Sequence, residues 1–106
     1  MSLRRDVSGN DDKVLLDLNY PAFQSELFGL DAPELKKIIK TFKKLSGMSW
    51  SDVFKDHGLK WEAPKSVPGK FTIRLSQSCR AVVVRDGYWM RFQTLHQDHD
   101  GAYGKK

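Results

Sequence analysis

The apolar residues of this chain change period halfway along it. Between residues 31 and 47, Leu35, Ile38, Ile39, Phe42 and Leu45 recur at intervals of three and four, which predicts one apolar stripe on a helix. Asp31 and Glu34 stand in capping-box spacing, and Pro33 occupies the first turn, where its missing N–H costs little. Gly47 closes the helix at the position a left-handed cap needs. "SWSDVFKDHG" repeats the logic on a smaller scale. Ser49 caps, Asp52 answers, Trp50, Val53 and Phe54 face inward, and Gly58 stops the turn. Upstream, "KVLLDLNY" at 13–20 suits a short strand stopped by Pro21, and "AFQSELF" suits a short helix closed by Gly29. "EAPKSVPGK" at 62–70 carries two prolines and a glycine and reads as a loop.

From Lys70 onward the period is two. "FTIRLS" sets Phe71, Ile73 and Leu75 against Thr72, Arg74 and Ser76, a half-buried strand. "CRAVVVRDGYWMRFQTL" contains Asp86-Gly87, a strong hairpin signal. A two-residue turn there pairs Arg85 with Tyr88. Val83 then opposes Met90 and Ala81 opposes Phe92 on one face. Arg80, Arg91 and Gln93 share the other face, with Arg74 beside them. The expected architecture is α+β, with N-terminal helices packed on a small antiparallel β-sheet. Residues 1–12 are polar and aperiodic and read as a disordered arm, leaving 13–106 as one domain.

Composition adds three bounds. A chain of 106 residues supports one core, and its apolar fraction of 40% suffices to build it. No apolar run approaches the roughly 20 residues that span a bilayer, and the N-terminus lacks the apolar segment of a secretory signal. With one cysteine, Cys79, no internal disulfide forms, and the expected compartment is the cytoplasm with no membrane partner. The net charge of +5 favours a polyanionic partner, nucleic acid or an acidic protein. Lys36, Lys37, Lys40, Lys43 and Lys44 cover the polar side of the long helix, as on any solvated helix face.

Guanidiniums gathered on one sheet face repel one another unless an anion lies between them, and their planar forks match phosphate. Arg74, Arg80 and Arg91 therefore read as a phosphate cradle. The alternative is that each pairs with a carboxylate at the sheet edge or lies along Trp89. The tail "LHQDHDGAYGKK" then concentrates chemistry: His96, Asp98, His99, Asp100 and Tyr103, with Lys105 and Lys106 as candidate substrate contacts. Four metal ligands within five consecutive residues do not easily converge on one ion, so neither metal nor another cofactor is expected. A purely structural role, His96 and Asp98 satisfying backbone groups where the last strand ends, stays open. His57 ends a short helix near its dipole, and nothing beside Cys79 suggests an activated thiol.

Helices first, then "FTIRL", "CRAVVV" and a last strand running into a short tail with a tyrosine: this resembles the RelE/ParE toxin superfamily of bacterial toxin–antitoxin modules, above all from Lys70 to Lys106. The resemblance implies a RelE-like microbial RNase fold. RelE-like members cut mRNA in the ribosomal A site, ParE-like members poison DNA gyrase, and both are neutralised by an antitoxin protein. Arg74 in "TIRL" matches the position of a basic sheet residue, Arg80 in "CRAVVV" the arginine that holds the scissile phosphate, and Tyr103 the tyrosine that stacks on an mRNA base. Thr72 stands where RelE carries a second lysine, so the family's lysine general base is missing. His96 and His99 fall where YoeB-like and HigB-like relatives carry a basic residue or a histidine, and either one could align with the catalytic position.

What the resemblance implies is a metal-independent endoribonuclease. The RNA 2′-OH is an internal nucleophile, and imidazole, with an ordinary pKa of about 6.5, suits either proton role. His96 or His99 would move protons, Arg74 and Arg80 would hold phosphate charge, and Tyr103 would stack. Asp98 or Asp100 would orient a histidine, with Arg91 and Gln93 as helpers. The rivals are a ParE-like gyrase poison, against which "HQDHDGAY" argues, and a non-catalytic nucleic-acid-binding module.

Overall fold

The computed structural model describes residues 12–97. The elements run β1 (Leu15–Asp17), α1 (Pro21–Phe28), α2 (Ala32–Ser46), α3 (Trp50–Lys55), β2 (Phe71–Ser76), β3 (Cys79–Asp86) and β4 (Trp89–Gln97). The fold is α+β. Its four-stranded sheet has the order β1-β4-β3-β2. The sheet is mixed rather than antiparallel, because β1 lies parallel to β4, with Leu15 opposite Trp89 and Asp17 opposite Arg91. A strand that returns to its neighbour only after three helices leaves no local signal of its direction.

The local signals explain most helix starts. The Asp31 carboxylate accepts the Glu34 N–H at 2.9 Å, and Ser49 accepts from the Asp52 N–H at 3.2 Å. The capping box is only half made, since the Glu34 carboxylate instead accepts from the hydroxyls of Ser76 and Ser78, the latter at 2.9 Å. Pro21 does not stop a strand but sits in the first turn of α1. Gly47 keeps φ at −103°, so α2 ends without the left-handed cap expected of it.

One face of the sheet carries Ile73, Leu75, Cys79, Ala81, Val83, Met90, Phe92 and Leu95, all buried. α1 packs on β4, and α2 packs on β2 and β1. Phe23 from α1, Phe42 from α2 and Phe92 from β4 meet as a three-ring nucleus, with centroids 5.3–6.3 Å apart. Of the expected stripe on α2, Ile38, Phe42 and Leu45 are buried, whereas Ile39 is exposed. On α3, Trp50 and Val53 are buried but Phe54 is half exposed.

Two features of the second hairpin depart from expectation. The strands pair Asp86 with Trp89, so the turn is Gly87-Tyr88, one residue later than anticipated. Gly87 has φ +63°, as the first position of a type II′ turn requires. The Tyr88 carbonyl is pinned there by the Leu15 N–H at 2.9 Å and the Trp50 indole N–H at 3.0 Å. Second, the register shifts between Val82, opposite Thr94, and Val83, opposite Phe92, which leaves Gln93 as a bulge.

Candidate functional site

The bulge decides what faces what. Side chains alternate along a strand, so Met90 and Phe92 facing the core would send Thr94 and His96 the same way. The extra residue reverses the alternation: Leu95 turns into the core, while Thr94 and His96 turn to the open face. There His96 lies directly opposite Arg80, and Arg80 lies directly opposite Arg74. A row of Arg74, Arg80 and His96 thus crosses three adjacent strands. Directly opposed side chains start about 5 Å apart at Cβ, which puts both arginines within reach of one anion.

His96 is exposed, and Arg74 and Arg80 are half-buried. The Thr94 hydroxyl lies 3.0 Å from His96 Nε2, both on the open face. The contact orients the ring through one nitrogen. Thr94 was not singled out from the sequence. Its signal is the break in apolar spacing at Met90, Phe92 and Leu95, where an interval of two becomes three and marks the bulge. Beside the row, between α2 and β2, opens a cleft of about 240 Å³ reached by Thr41, Lys44, Leu59, Arg74 and Gln77.

Arg91 and Gln93 do not join the row. Arg91 pairs with Val84. That is four residues along β3 from Arg80, about 13 Å at ordinary strand rise. Its guanidinium is held by Asp17 at 2.6 Å and Asp86 at 3.0 Å, and it lies 5.5 Å from the Trp89 ring centroid. The edge-carboxylate alternative therefore applies to this arginine, which ties β1 to the hairpin. Its donated hydrogen bond holds Asp17 below the ordinary carboxylate range, helped by the Asn19 N–H, and Asp17 in turn raises Arg91. Gln93, displaced into the bulge, points its amide nitrogen at the Tyr20 hydroxyl, 3.5 Å away. The later turn moves Arg91 off the row, and the bulge displaces Gln93. Asp98, His99, Asp100, Tyr103, Lys105 and Lys106 lie outside the described residues, as does most of the metal reading of the tail.

Burial pushes the Cys79 thiol up to about 11, with neighbouring Glu34 adding to the shift. That cysteine, 1% exposed, is a core residue. No helix of the described residues is long and apolar enough to cross a membrane. Comparison with known proteins gave no match: no family model fits the chain, and no curated protein or solved structure is significantly similar to it.

Proposed function

We propose that this chain is the toxin of a bacterial toxin–antitoxin module, a RelE-like endoribonuclease that cuts mRNA in the ribosomal A site. The observation that carries the reading is the cross-strand row of Arg74, Arg80 and His96 on the sheet face opposite the described helices. Two directly opposed arginines and an exposed imidazole are the groups that phosphodiester transesterification asks for. The RNA 2′-oxygen attacks phosphorus and gives its proton to a base. The 5′-oxygen departs with a proton from an acid, leaving a 2′,3′-cyclic phosphate and a 5′-OH. Arg74 and Arg80 offset the charge that builds on the phosphorane oxygens. His96, steadied by Thr94, takes one proton role; His99 is the candidate for the other, and Tyr103 for stacking on a base. The antitoxin partner and the cytoplasmic setting belong to the same reading.

The test is a cleavage assay on ribosome-bound mRNA. Arg80→Ala is expected to slow cutting by about 100-fold or more, and His96→Ala by about 100- to 10,000-fold. Arg74→Ala should show a smaller loss, and His99→Ala tells whether the second histidine shares the work. Wild-type rates in Arg74→Ala, Arg80→Ala and His96→Ala together would sink the reading. Gyrase-dependent cleavage of plasmid DNA with mRNA left intact would replace it with the gyrase-poison alternative.

A further inference from the structure

A second cluster of chemistry stands away from the arginine row, where α3 and the loop before β2 meet the core side of the sheet. Trp50, Phe54, Trp61 and Phe71 form a continuous ring cluster. Trp61 stacks on Phe71 at 4.8 Å and 21°, Trp50 meets Trp61 edge-on at 5.4 Å, and Phe54 lies 5.8 Å from Trp61 and 5.9 Å from Trp50. The guanidinium of exposed Arg85 lies 4.1 Å from the Trp50 ring centroid and 5.8 Å from that of Phe54. Core packing accounts for Trp50, which is 2% exposed, but not for Phe54, which is 50% exposed at the outer side of the same cluster.

The charge around the rings is of one prevailing sign. Lys55 follows Phe54, Lys60 precedes Trp61 and Lys70 precedes Phe71. Asp56 is already neutralised by Lys44 at 2.8 Å, leaving Asp52 and Glu62 as the exposed carboxylates of the stretch. Lys60 is also the described non-glycine residue with positive φ, +48°, a conformation that sets the lysine and Trp61 at a sharp bend.

An exposed ring, Phe54, at the rim of an aromatic cluster, an arginine over Trp50 and Phe54, and lysines next in sequence to Phe54, Trp61 and Phe71 are what an unpaired nucleic-acid strand recognises: its bases stack and its phosphates find cations. A duplex hides its base faces, and an acidic protein would use the cations without the rings. We propose that the Phe54–Trp61–Arg85 surface is a stacking site for single-stranded RNA, a second contact separate from the cutting row. It rests on the reading above only in taking RNA as the ligand.

The experiment is a fluorescence titration of the full chain in a Trp89→Phe background, where Trp50 and Trp61 report. The probe is a ten-nucleotide 2′-O-methyl oligoribonucleotide, which cannot be cut because its 2′-oxygens are blocked. Quenching on addition of the single strand is expected, with weaker binding of the same sequence as a duplex and of polyglutamate. Phe54→Leu, which keeps an apolar side chain but removes the ring, should weaken single-strand binding by roughly 5- to 150-fold, and Phe54→Tyr should restore it. Equal binding by Phe54→Leu and wild type, or polyglutamate binding as tightly as the single strand, would overturn the stacking site. Because the probe is uncleavable, failure of the nuclease reading leaves this test intact, and mRNA cutting with an unaffected Phe54→Leu would reject the stacking site alone.

Discussion

At the scale of single residues, the sequence states a charge but not its partner. Arg74 and Arg80 face each other across β2 and β3, whereas Arg91 is spent on Asp17 and Asp86, and Arg85 lies over Trp50. Nothing in a run such as "YWMRFQ" separates these fates, because Asp17 arrives from 74 residues away in the chain. Cys79 shows the same dependence on context. Its thiol, buried and next to Glu34, has a pKa of about 11, so the reactive thiolate is a minor species near neutrality. In the folded protein a thiol reagent at about pH 8 should label it orders of magnitude more slowly than an exposed cysteine, with full labelling in concentrated guanidinium. Stopped-flow or absorbance measurement of thiol release checks this. Rapid labelling without denaturant would mean that the β2–β3 hairpin opens readily.

At the scale of elements, α2 was legible because its stripe, its Asp31 cap and its Pro33 are all local signals. The two faces of the sheet were legible as far as Phe92, because alternation is local; beyond it the bulge reverses the alternation. The hairpin register was not. Pairing Val83 with Met90 or with Phe92 moves the partner by two residues and leaves the same side chains facing the core, so hydrophobic patterning cannot choose between them. Contacts from β1 and α3 to the Tyr88 carbonyl make the choice. The bulge then places His96 with Arg80. Deleting Gln93 should restore strict alternation without changing the facing, because Phe92 and Leu95 still turn to the core while Thr94 and His96 turn to the open face, His96 opposite Arg80. Leu95, 3% exposed, keeps its burial, which a flipped strand end would lose at about 2 kcal/mol. The expected result is a Tm close to that of the wild type and cutting well above that of His96→Ala. Gln93→Ala keeps the residue count and should keep both the bulge and the activity. A deletion variant that folds but cuts no better than His96→Ala would show that the residue count between Phe92 and Leu95 does not set the facing of His96.

At the scale of the whole molecule, carboxylates join parts of the chain that are distant in sequence. Asp17 ties β1 to β4 through Arg91, Glu34 ties the start of α2 to the turn between β2 and β3 through Ser76 and Ser78, and Asp56 ties the end of α3 to α2 through Lys44. All three are held below their ordinary pKa, each chiefly by a hydrogen bond from the partner named: Arg91 for Asp17, Ser76 for Glu34, Lys44 for Asp56. An unfolded chain would bind protons at these groups near pH 4, where the folded one still holds them ionised. Stability from them is therefore complete above about pH 5 and drains away as pH falls through the lowered folded values. The net charge, already +5 at neutrality, rises as carboxylates protonate and adds repulsion in the same direction. Tm measured from neutral to strongly acid pH should hold steady and then fall steeply below pH 4. The triple variant Asp17→Asn, Glu34→Gln, Asp56→Asn should begin lower at neutrality and fall less steeply. Salt should separate the ties: it weakens the half-exposed Lys44–Asp56 pair by screening, while the Ser76 and Ser78 hydroxyls, being neutral, keep their hold on Glu34. Parallel pH profiles for wild type and triple variant would assign the acid sensitivity to the rest of the chain's carboxylates instead.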